Sequence, residues 1–467
     1  MTGEQIIGLI KHRGNEIMSQ IITTTIKDNE SRLSDVKKNW EKYRGDVPIL
    51  HRKNEDPLKI SANEKLANDY RGDIVDQIKG FVFAEPIGVR YPDDAGNAFI
   101  RAFNIDNDID ALNLELAEYM LSCGYGARLC YIENGTGKTR VMNVKPWECI
   151  FIYADSTDRP QYALVFYPYS IMNYDTGKEE KTVRVEWYDR ENVTYYIKRG
   201  GKFIQETGQV FEDNQLKEIV NPAPHFFDGV PVIEYIPNPR RQCSFAKVES
   251  LIDGFDVALS DWLNEIIEFK MSYLKATGAS IDEKERMLAR ATRIINLPDK
   301  DSNVDFLTKN LSPEFINNFL DKIDENIYKF SKTANMSSEK FTSGGAESGE
   351  ARIWKMLSLV FEGVVVENFF TKGLRNTYKI LTTSWNKVTN RIDPLKIEFE
   401  FKRKLPNDLL YAAQVLEKLW GKMPLEKIYS LLAFVDDPVK LAQEYQNQNA
   451  VDLDNLPAEK TNESAQN

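Results

Sequence analysis

The chain has 467 residues, of which 71 are acidic and 60 are basic, so its formal net charge at neutral pH is −11. Because 42 % of the residues are hydrophobic and 11 % aromatic, a mainly disordered protein is excluded. The acidic balance disfavours a protein that simply clamps nucleic acid, since such proteins usually carry a basic face. Only three widely separated histidines (His12, His51 and His225) are present, which leaves a His-based metal centre or catalytic triad poorly supplied.

The four cysteines and the hydropathy pattern indicate where the protein is made. Cys123, Cys130, Cys149 and Cys243 lack the CxxC spacing of a zinc or thioredoxin-like site, which favours buried, reduced thiols. The N-terminus lacks the residue order of a signal peptide. No uninterrupted apolar run approaches the roughly 18 residues of a membrane helix. We therefore expect a soluble protein made in the cytoplasm.

The first half of the chain predicts helices followed by an antiparallel meander. Helices are expected over 4–45, 63–82 and 108–122. Between about 125 and 236, β-rich runs alternate with turn residues; the runs are Tyr125–Glu133, Arg140–Val144, Tyr162–Tyr167, Val183–Tyr188 and Val193–Lys198. Five prolines between 222 and 239 then exclude a helix and mark a boundary.

A long amphipathic helix is predicted beyond this boundary. Eight apolar residues from Phe245 to Phe269 recur at alternating spacings of three and four, which is a heptad seam. The seam itself is accounted for by core packing. The rest of the helix surface is mostly acidic, and these residues require a further explanation: Glu249, Asp253, Asp256, Asp261, Glu265 and Glu268.

A second acidic helix begins at Ser312, Pro313 and Glu314, which supply a capping hydroxyl, a first-turn proline and a first-turn acid. Its apolar stripe is Phe315, Phe319, Ile323, Ile327 and Phe330. Between the two acidic helices, residues 274–311 predict a compact module. It comprises a short basic helix at Ile281–Thr292 and two strands at Arg293–Leu297 and Val304–Lys309.

The remaining chain predicts a mobile loop, a very long helix and a small helical end. Five serines and three glycines between 331 and 349 are typical of a loop. A helix from Glu350 to about Asn390 follows, with Gly363 and Gly373 as positions where it could bend. The rest predicts a strand at 395–401, three short helices starting near Pro406, Pro424 and Pro438, and a disordered end from 446.

Two short patterns that suggest sites have simpler interpretations. Residues 134–139 look like a phosphate loop, but Ile132 occupies the position of the first glycine and a strand follows, so a hairpin turn is predicted. The pair Asp93–Asp94 is interpreted as solvated loop charge. No arrangement of nucleophile and base is present that would support enzyme chemistry.

The order of acidic helix, small module, acidic helix, Ser/Gly loop and very long helix resembles the portal (connector) proteins of tailed double-stranded DNA phages, especially the siphophage branch. Short motifs that carry the resemblance occur in the same order: residues 68–76 leading to 83–87, 144–148 leading to 153–155, 230–235, 249–256 leading to 260–264, 348–351 and 404–408. The turn Pro237–Arg241 departs from the plainer Asn-rich turn of relatives, which leaves the geometry between wing and stem open.

The resemblance implies an α+β portal fold, assembled as a ring of twelve subunits around a channel at one capsid vertex. The implied parts are a wing (1–242, N-terminal helices and β meander), a stem helix (243–273), a clip (274–311), a second stem helix (312–331), a tunnel loop (332–349), a long wing helix and strand (350–403), a crown (404–448) and a disordered tail (449–467).

The resemblance also assigns three sets of candidate site residues. The DNA-facing tunnel loop would present Lys332, Ser337, Ser338, Lys340, Thr342, Ser343, Gly344 and Gly345. The stem would line the channel with Glu314, Asp321, Lys322, Glu325 and Lys329. The clip would contact the motor and adaptor through Lys284, Arg286, Arg290 and Arg293. No catalytic residue, metal or cofactor is implied.

The implied function is a channel for DNA packaging and ejection and a docking platform for the large terminase and the head-completion (head–tail) adaptor. Further expected partners are the major capsid and scaffolding proteins, and no membrane. The protein would assemble in the host cytoplasm and reside in the virion. Strong phosphate contacts would have to be broken at every step of DNA movement. An acidic stem repels phosphates, while Lys332 and Lys340 would allow weak, renewable contacts, so a passive conduit is favoured.

Two other classes stay open. A different phage structural protein, such as a scaffold or head–tail adaptor, could share the long helices, although it would not predict the clip-sized insertion. A DNA-processing enzyme would require a nucleotide loop or a carboxylate cluster, and the sequence indicates neither.

Overall fold

The protein is built from helices and antiparallel sheets. The computed structural model describes residues 1–13, 17–54, 62–154, 159–173, 178–207, 209–212, 215–218, 220–269, 274–277, 282–284, 287, 303–306, 313–336, 356–388, 392–402, 416–430 and 438–453. The predicted α+β class is confirmed. Among the helices so described, none is both long and apolar enough to cross a membrane.

Five helices occupy the N-terminal region: α1 (Gly3–Arg13), α2 (Met18–Tyr43), α3 (Tyr70–Phe83), α4 (Asp94–Asp106) and α5 (Ile109–Cys123). The predicted helix over 4–45 is divided into α1 and α2, and the helix predicted at 108–122 is confirmed. The helix predicted from 63 begins only at Tyr70, where Asp69 caps it by accepting a hydrogen bond from the Gly72 amide at 3.0 Å.

Helix α4 was not predicted, and the interpretation of Asp93 as a solvated loop charge is wrong. The Asp93 carboxylate accepts a hydrogen bond from the Gly96 amide at 2.7 Å, which makes Asp93 the N-cap of α4. Asp94 lies in the first turn, where a negative charge is favourable. The two acids are therefore a helix start signal.

The predicted meander is confirmed. The strands are β1 (Gly88–Arg90), β2 (Gly126–Ile132), β3 (Thr139–Val144), β4 (Cys149–Tyr153), β5 (Pro160–Asn173), β6 (Lys178–Tyr188), β7 (Asn192–Arg199), β8 (Lys202–Gln205), β9 (Gln209–Glu212), β10 (Gln215–Glu218), β11 (Ala223–Pro224) and β12 (Val232–Tyr235). Strands β5 and β6 extend well beyond the predicted runs, whereas β2 is shorter than the run Tyr125–Glu133. A six-stranded antiparallel sheet has the order β11-β7-β6-β5-β4 with β8 on β7, and β12-β2-β3 form a second sheet. The predicted turn at 134–139 joins β2 and β3, where the Glu133 amide donates to the Lys138 carbonyl at 2.8 Å.

The six-stranded sheet is covered on both faces, because successive apolar side chains of its strands point alternately to one face and to the other. Ile150, Leu164 and Val185 pack against α1 and α2. Their neighbours Cys149 and Val165 point to the opposite face, towards β2, β3 and β12. Each fully buried side chain of this kind contributes about 1.5–3 kcal/mol to stability.

The C-terminal half contains α6 (Glu249–Phe269), strands β13 (Leu274–Thr277) and β14 (Asn303–Phe306), α7 (Pro313–Ser331), α8 (Leu357–Val388), β15 (Glu398–Glu400), α9 (Leu425–Ser430) and α10 (Pro438–Leu453). The predicted strand at 304–309 overlaps β14, whose antiparallel partner is the unpredicted β13. Strand β15 pairs with β1 from the other end of the chain. The disorder predicted from 446 begins too early, since α10 continues to Leu453.

The largest core gathers α3, α5, the start of α6 and the long helix α8. The two glycines expected to bend α8 lie at its closest contacts. A Cβ on Gly363 would lie 2.7 Å from ring atoms of Phe81, and one on Gly373 would lie 2.3 Å from a ring atom of Tyr235. Glycine is required at both positions because any side chain would overlap an aromatic ring.

Candidate nucleic-acid interface

The inner face of α6 binds an extended segment, residues 62–69, through three buried polar side chains. The Asp256 carboxylate accepts hydrogen bonds from the Asn68 amide at 3.0 Å and from its side-chain Nδ2 at 2.8 Å. Ser260 Oγ accepts from the Leu66 amide at 2.9 Å. The Asn264 side chain accepts from the Glu64 amide at 2.8 Å and donates back to the Glu64 carbonyl at 3.2 Å. We call this set of bonds the α6 ladder.

The α6 ladder works because two repeats nearly coincide. Four helical residues advance about 6 Å along α6, and two extended residues advance about 6.6 Å in the opposite direction. Side chains spaced by four on α6 therefore meet every second amide of the extended segment. Asp256, Ser260 and Asn264 are all buried, so the α6 side of each bond is shielded from water. This is why residues 63–69 are extended although their composition favours a helix.

Most of the acidic residues of α6 that lacked an explanation have partners within the chain. Glu249 forms an ion pair with Lys42. Asp253 pairs with the buried Arg71 at 2.6 Å, and Asp261 pairs with Arg52 at 2.6 Å. Burial raises the pKa of Asp256, and the hydrogen bonds from Asn68 oppose that shift. Together with Asp256, these carboxylates hold α2, α3 and the segments around Arg52 and Asn68 against α6.

The inner face of α7 is tied to α3 by tyrosine–carboxylate bonds. Tyr70 donates to Asp324 at 2.7 Å, and Tyr328 donates to Asp73 at 3.0 Å. The ring of Tyr70 also packs edge-on against Phe255 of α6 and Tyr328. Burial and the adjacent carboxylates raise the pKa of both Tyr70 and Tyr328, so both hydroxyls remain donors. The three helices are therefore joined at this point.

The outer face of α7 carries all five predicted channel-lining residues, and all five are exposed: Glu314, Asp321, Lys322, Glu325 and Lys329. At 100° per residue they fall within a sector of about 100° on the helix. Lys322 and Glu325 form an ion pair at 3.3 Å. With three acids and two lysines, the sector carries one net negative charge. Of the predicted apolar stripe, Ile327 is buried, whereas Phe315, Phe319 and Phe330 are exposed.

The start of the predicted tunnel loop is packed instead of mobile. Ser331, Thr333 and Ala334 are buried. The Ala334 amide donates to Gln77 Oε1 of α3 at 3.1 Å. Asn335 donates to Asp324 of α7 at 2.7 Å. The expectation that the whole stretch from 331 is a loose loop is therefore wrong for its first five residues.

Lys332, predicted to face DNA, has an acidic partner in the structure. Its backbone is left-handed, with φ of 64°, and its ammonium lies 2.5 Å from Glu362 Oε2 of α8. Glu362 is the only charged residue between 357 and 366, and a lone carboxylate in an apolar stretch is the sequence signal for a buried partner of this kind. The other predicted tunnel-loop residues lie outside the described part of the chain: Ser337, Ser338, Lys340, Thr342, Ser343, Gly344 and Gly345.

Of the predicted clip residues, Lys284 is exposed, while Arg286, Arg290 and Arg293 lie outside the described residues. The antiparallel pair β13–β14 spans Leu274–Thr277 and Asn303–Phe306, so the two ends of the predicted clip lie next to each other.

The described residues contain no group of three His, Cys, Asp or Glu side chains that could hold a metal ion. The four cysteines are free and buried, as predicted. Burial raises the pKa of Cys123, Cys130 and Cys243 to about 12, so these thiols stay protonated at neutral pH.

One large groove was not predicted. It encloses about 1450 Å³ between the six-stranded sheet, β12 and α8, with Tyr162, Trp187 and Glu234 on one side and Phe369 and Asn376 on the other. Because its walls come from segments far apart in the sequence, no local pattern could indicate it.

The turn that departs from the resemblance is held rigidly beside this groove. The Arg241 guanidinium contacts Glu234 at 2.7 Å and stacks over Tyr153. Asn238 Oδ1 accepts from the amides of Arg240 and Gln242 at 3.1 and 3.2 Å. The connection between β12 and α6, whose geometry the sequence left open, is therefore held by side-chain contacts within the turn and to β12.

Comparison with known proteins identifies the family to which this sequence is similar. The family described as "Phage portal protein, SPP1 Gp6-like" matches residues 23–452. A portal protein of Bacillus phage SPP1 is 23 % identical over 326 residues, which cover 67 % of this chain and 61 % of that protein. A portal protein of Clostridium phage phiCD119 is 21 % identical over 408 residues, which cover 83 % of this chain and 85 % of that protein.

Proposed function

This chain belongs to the family of SPP1 Gp6-like phage portal proteins, and from that premise we propose that it forms a ring at one vertex of a phage capsid and conducts double-stranded DNA. In this proposal α6 and α7 form the stem, and the ring has twelve subunits. The large terminase and a head-completion adaptor dock on the clip, with capsid and scaffolding proteins around the wing. The protein itself carries out no chemistry, and ATP hydrolysis belongs to the terminase.

The single observation that carries this proposal, beside the family, is the contrast between the two faces of α7. Its inner face is fixed to α3 and α6 through Tyr70, Asp324 and Tyr328. Its outer face leaves charged residues exposed in one narrow sector. A wall for moving DNA requires a rigid backing and a surface that does not hold phosphate, and mixed charge with a small acidic excess meets the second requirement.

The tunnel loop is proposed to supply the weak contacts to DNA. Residues 331–335 are fixed to neighbouring helices, so the part that can approach DNA begins after them. Lys340 is the lysine of this remaining part. Its ammonium would make transient phosphate contacts that salt weakens.

Assembly is tested first, by mass measurement and electron microscopy of the purified protein. We expect annular particles with a central hole and a mass of about 640 kDa, which is twelve times the 53.7 kDa of one chain. Particles without a hole, or a stable monomer, would contradict the proposal. A scaffold that forms no closed ring would give neither this mass nor this shape.

The channel wall is tested by reversing charge on α7. The variant Glu314→Lys, Asp321→Lys and Glu325→Lys should still form rings but package DNA several-fold more slowly, because added cations hold phosphates. The matched control reverses three exposed acids of α2, Asp28, Glu30 and Asp35, and should package normally. Equal packaging by both variants would remove the outer face of α7 from the channel.

A further inference from the structure

We propose that Lys332 and Glu362 form a latch that fixes the base of the tunnel loop to α8, and that Lys332 is a positioning residue and not a contact to DNA. The inference rests on the proposed function for the role of the loop. The latch itself is defined by contacts within one chain and can be tested without a ring or DNA.

The backbone at Lys332 indicates that the residue is retained for its side chain. Helix α7 ends at Ser331, and Lys332 follows with φ of 64°, a conformation in which glycine is ordinarily preferred. A lysine there is strained, since its Cβ crowds the backbone. Its ammonium lies 2.5 Å from Glu362, a carboxylate that is only 21 % exposed. The ion pair offsets the strain and leaves this ammonium directed at α8.

The residues around Lys332 are held by hydrogen bonds, some to each other and some to neighbouring helices. The hydroxyls of Ser331 and Thr333 are 2.7 Å apart and buried. The Ala334 amide is bonded to Gln77 of α3, and the Asn335 side chain is bonded to Asp324 of α7. The base of the loop is therefore attached to α3, α7 and α8, and Lys332 makes the only ion pair among these described contacts.

The latch and the neighbouring hydrogen bonds fix the first residues of the loop to the surrounding helices. DNA moving through the proposed channel would pull on the loop through any contact beyond 336. Because the base is attached to three helices, such a pull is transmitted to the helices and does not unravel the end of α7. A lysine that served DNA directly would instead be expected to project from the packed segment, without a half-buried carboxylate beside it.

The decisive test is a charge swap. Lys332→Gln and Glu362→Gln should each loosen the segment and increase hydrogen exchange at the Ala334 amide about fivefold, as expected for loss of one partly buried pair. The double variant Lys332→Glu with Glu362→Lys restores the pair with reversed signs. Its exchange rate and its packaging by assembled rings should return towards those of the unmodified protein.

Two controls separate the latch from its alternatives. Lys332→Gly removes the pair and also relieves the left-handed backbone, so an exchange rate equal to that of Lys332→Gln shows that loss of the pair, and not strain, loosens the segment. Lys329→Gln, at an exposed lysine one turn earlier, should leave exchange at Ala334 unchanged.

The outcomes distinguish the latch from the proposed function. If the swap packages no better than Lys332→Gln while Glu362→Gln packages normally, Lys332 contacts DNA and the latch is refuted. If Ala334 exchange is the same in all variants, the latch is also refuted. If the unmodified protein forms no rings, the proposed function fails, and the exchange data still decide whether the latch exists.

Discussion

The acidic helices α6 and α7 expose their carboxylates to different extents, although Asp324 of α7 also binds a donor from another element. On α6 the carboxylates of Asp253 and Asp256 face inwards and bind Arg71 and Asn68. On α7 the carboxylate of Asp321 is exposed on the outer face. The two helices look alike in composition, so the difference teaches that acidic content does not by itself identify a channel wall. What distinguishes them is whether a donor elsewhere in the chain meets each carboxylate.

The largest expected loss of stability comes from breaking the Arg71–Asp253 ion pair, and removing the carboxylate should cost more than removing the guanidinium. Asp253→Ala leaves the guanidinium of Arg71, which is 1 % exposed, without its carboxylate, and should lower the free energy of unfolding by about 3 kcal/mol. Arg71→Met leaves only the carboxylate of Asp253, which water can reach, and should cost about 1–2 kcal/mol. Denaturant unfolding of the two variants measures both. Equal costs would show that Arg71 finds another partner.

Loss of one rung of the α6 ladder should have the next largest effect. Asp256→Ala removes the acceptor of the Asn68 amide and should lower the free energy of unfolding by about 2 kcal/mol. Hydrogen exchange at the Asn68 amide should rise more than at the Glu64 amide, because the rung at Asn264 remains. A uniform rise along the segment would mean that the rungs open as one unit.

A smaller effect should appear in the pH dependence of stability. Burial raises the pKa of Asp256, so the folded chain binds this proton more tightly than the unfolded chain. Its contribution to stability is therefore fully present below the ordinary pKa of 3.8 and is lost as pH rises through the folded value. Relative to the unmodified protein, Asp256→Asn should gain melting temperature as pH rises from 4 to 7. A constant difference between the two proteins would contradict the raised pKa.

The smallest effect on stability is expected on the outer face of α7. Asp321→Ala should change the free energy of unfolding by no more than about 0.5 kcal/mol, since an exposed charge contributes little. Thermal unfolding beside Asp256→Ala gives the comparison directly. A cost near 2 kcal/mol would mean that Asp321, like Asp256, has a structural partner, and the contrast between the helices would disappear.

Periodic patterns let the sequence predict the meander, the helices α5, α6 and α7, and the long helix α8. A strand or helix with one buried face repeats its apolar residues locally, so these elements are visible without any knowledge of their partners. The five residues of the exposed sector of α7 were instead assigned by the resemblance, and their role as channel lining stays a prediction. The resemblance to portal proteins, based on the order of short motifs, is confirmed by the family.

What could not be predicted depends on contacts between distant residues. Residues 64–68 are extended because their amides bind side chains 188 to 200 residues later, and no local pattern encodes such a partner. The role of Lys332 depends on Glu362 in the same way. The start of α4, by contrast, could have been predicted locally. Asp93 is a typical helix-capping residue, and its interpretation as loop charge overlooked that signal.

The α6 ladder has one more consequence, for how this part of the protein can vary. Two residues of the extended segment correspond to four residues of α6, so the ladder fixes the register in which the two stretches of chain pair. Inserting one residue between 64 and 68 would turn the backbone donors of part of the segment away from α6. Inserting two residues before Glu64 would leave all three rungs in place. Changes in length should therefore be tolerated ahead of the segment and rejected within it.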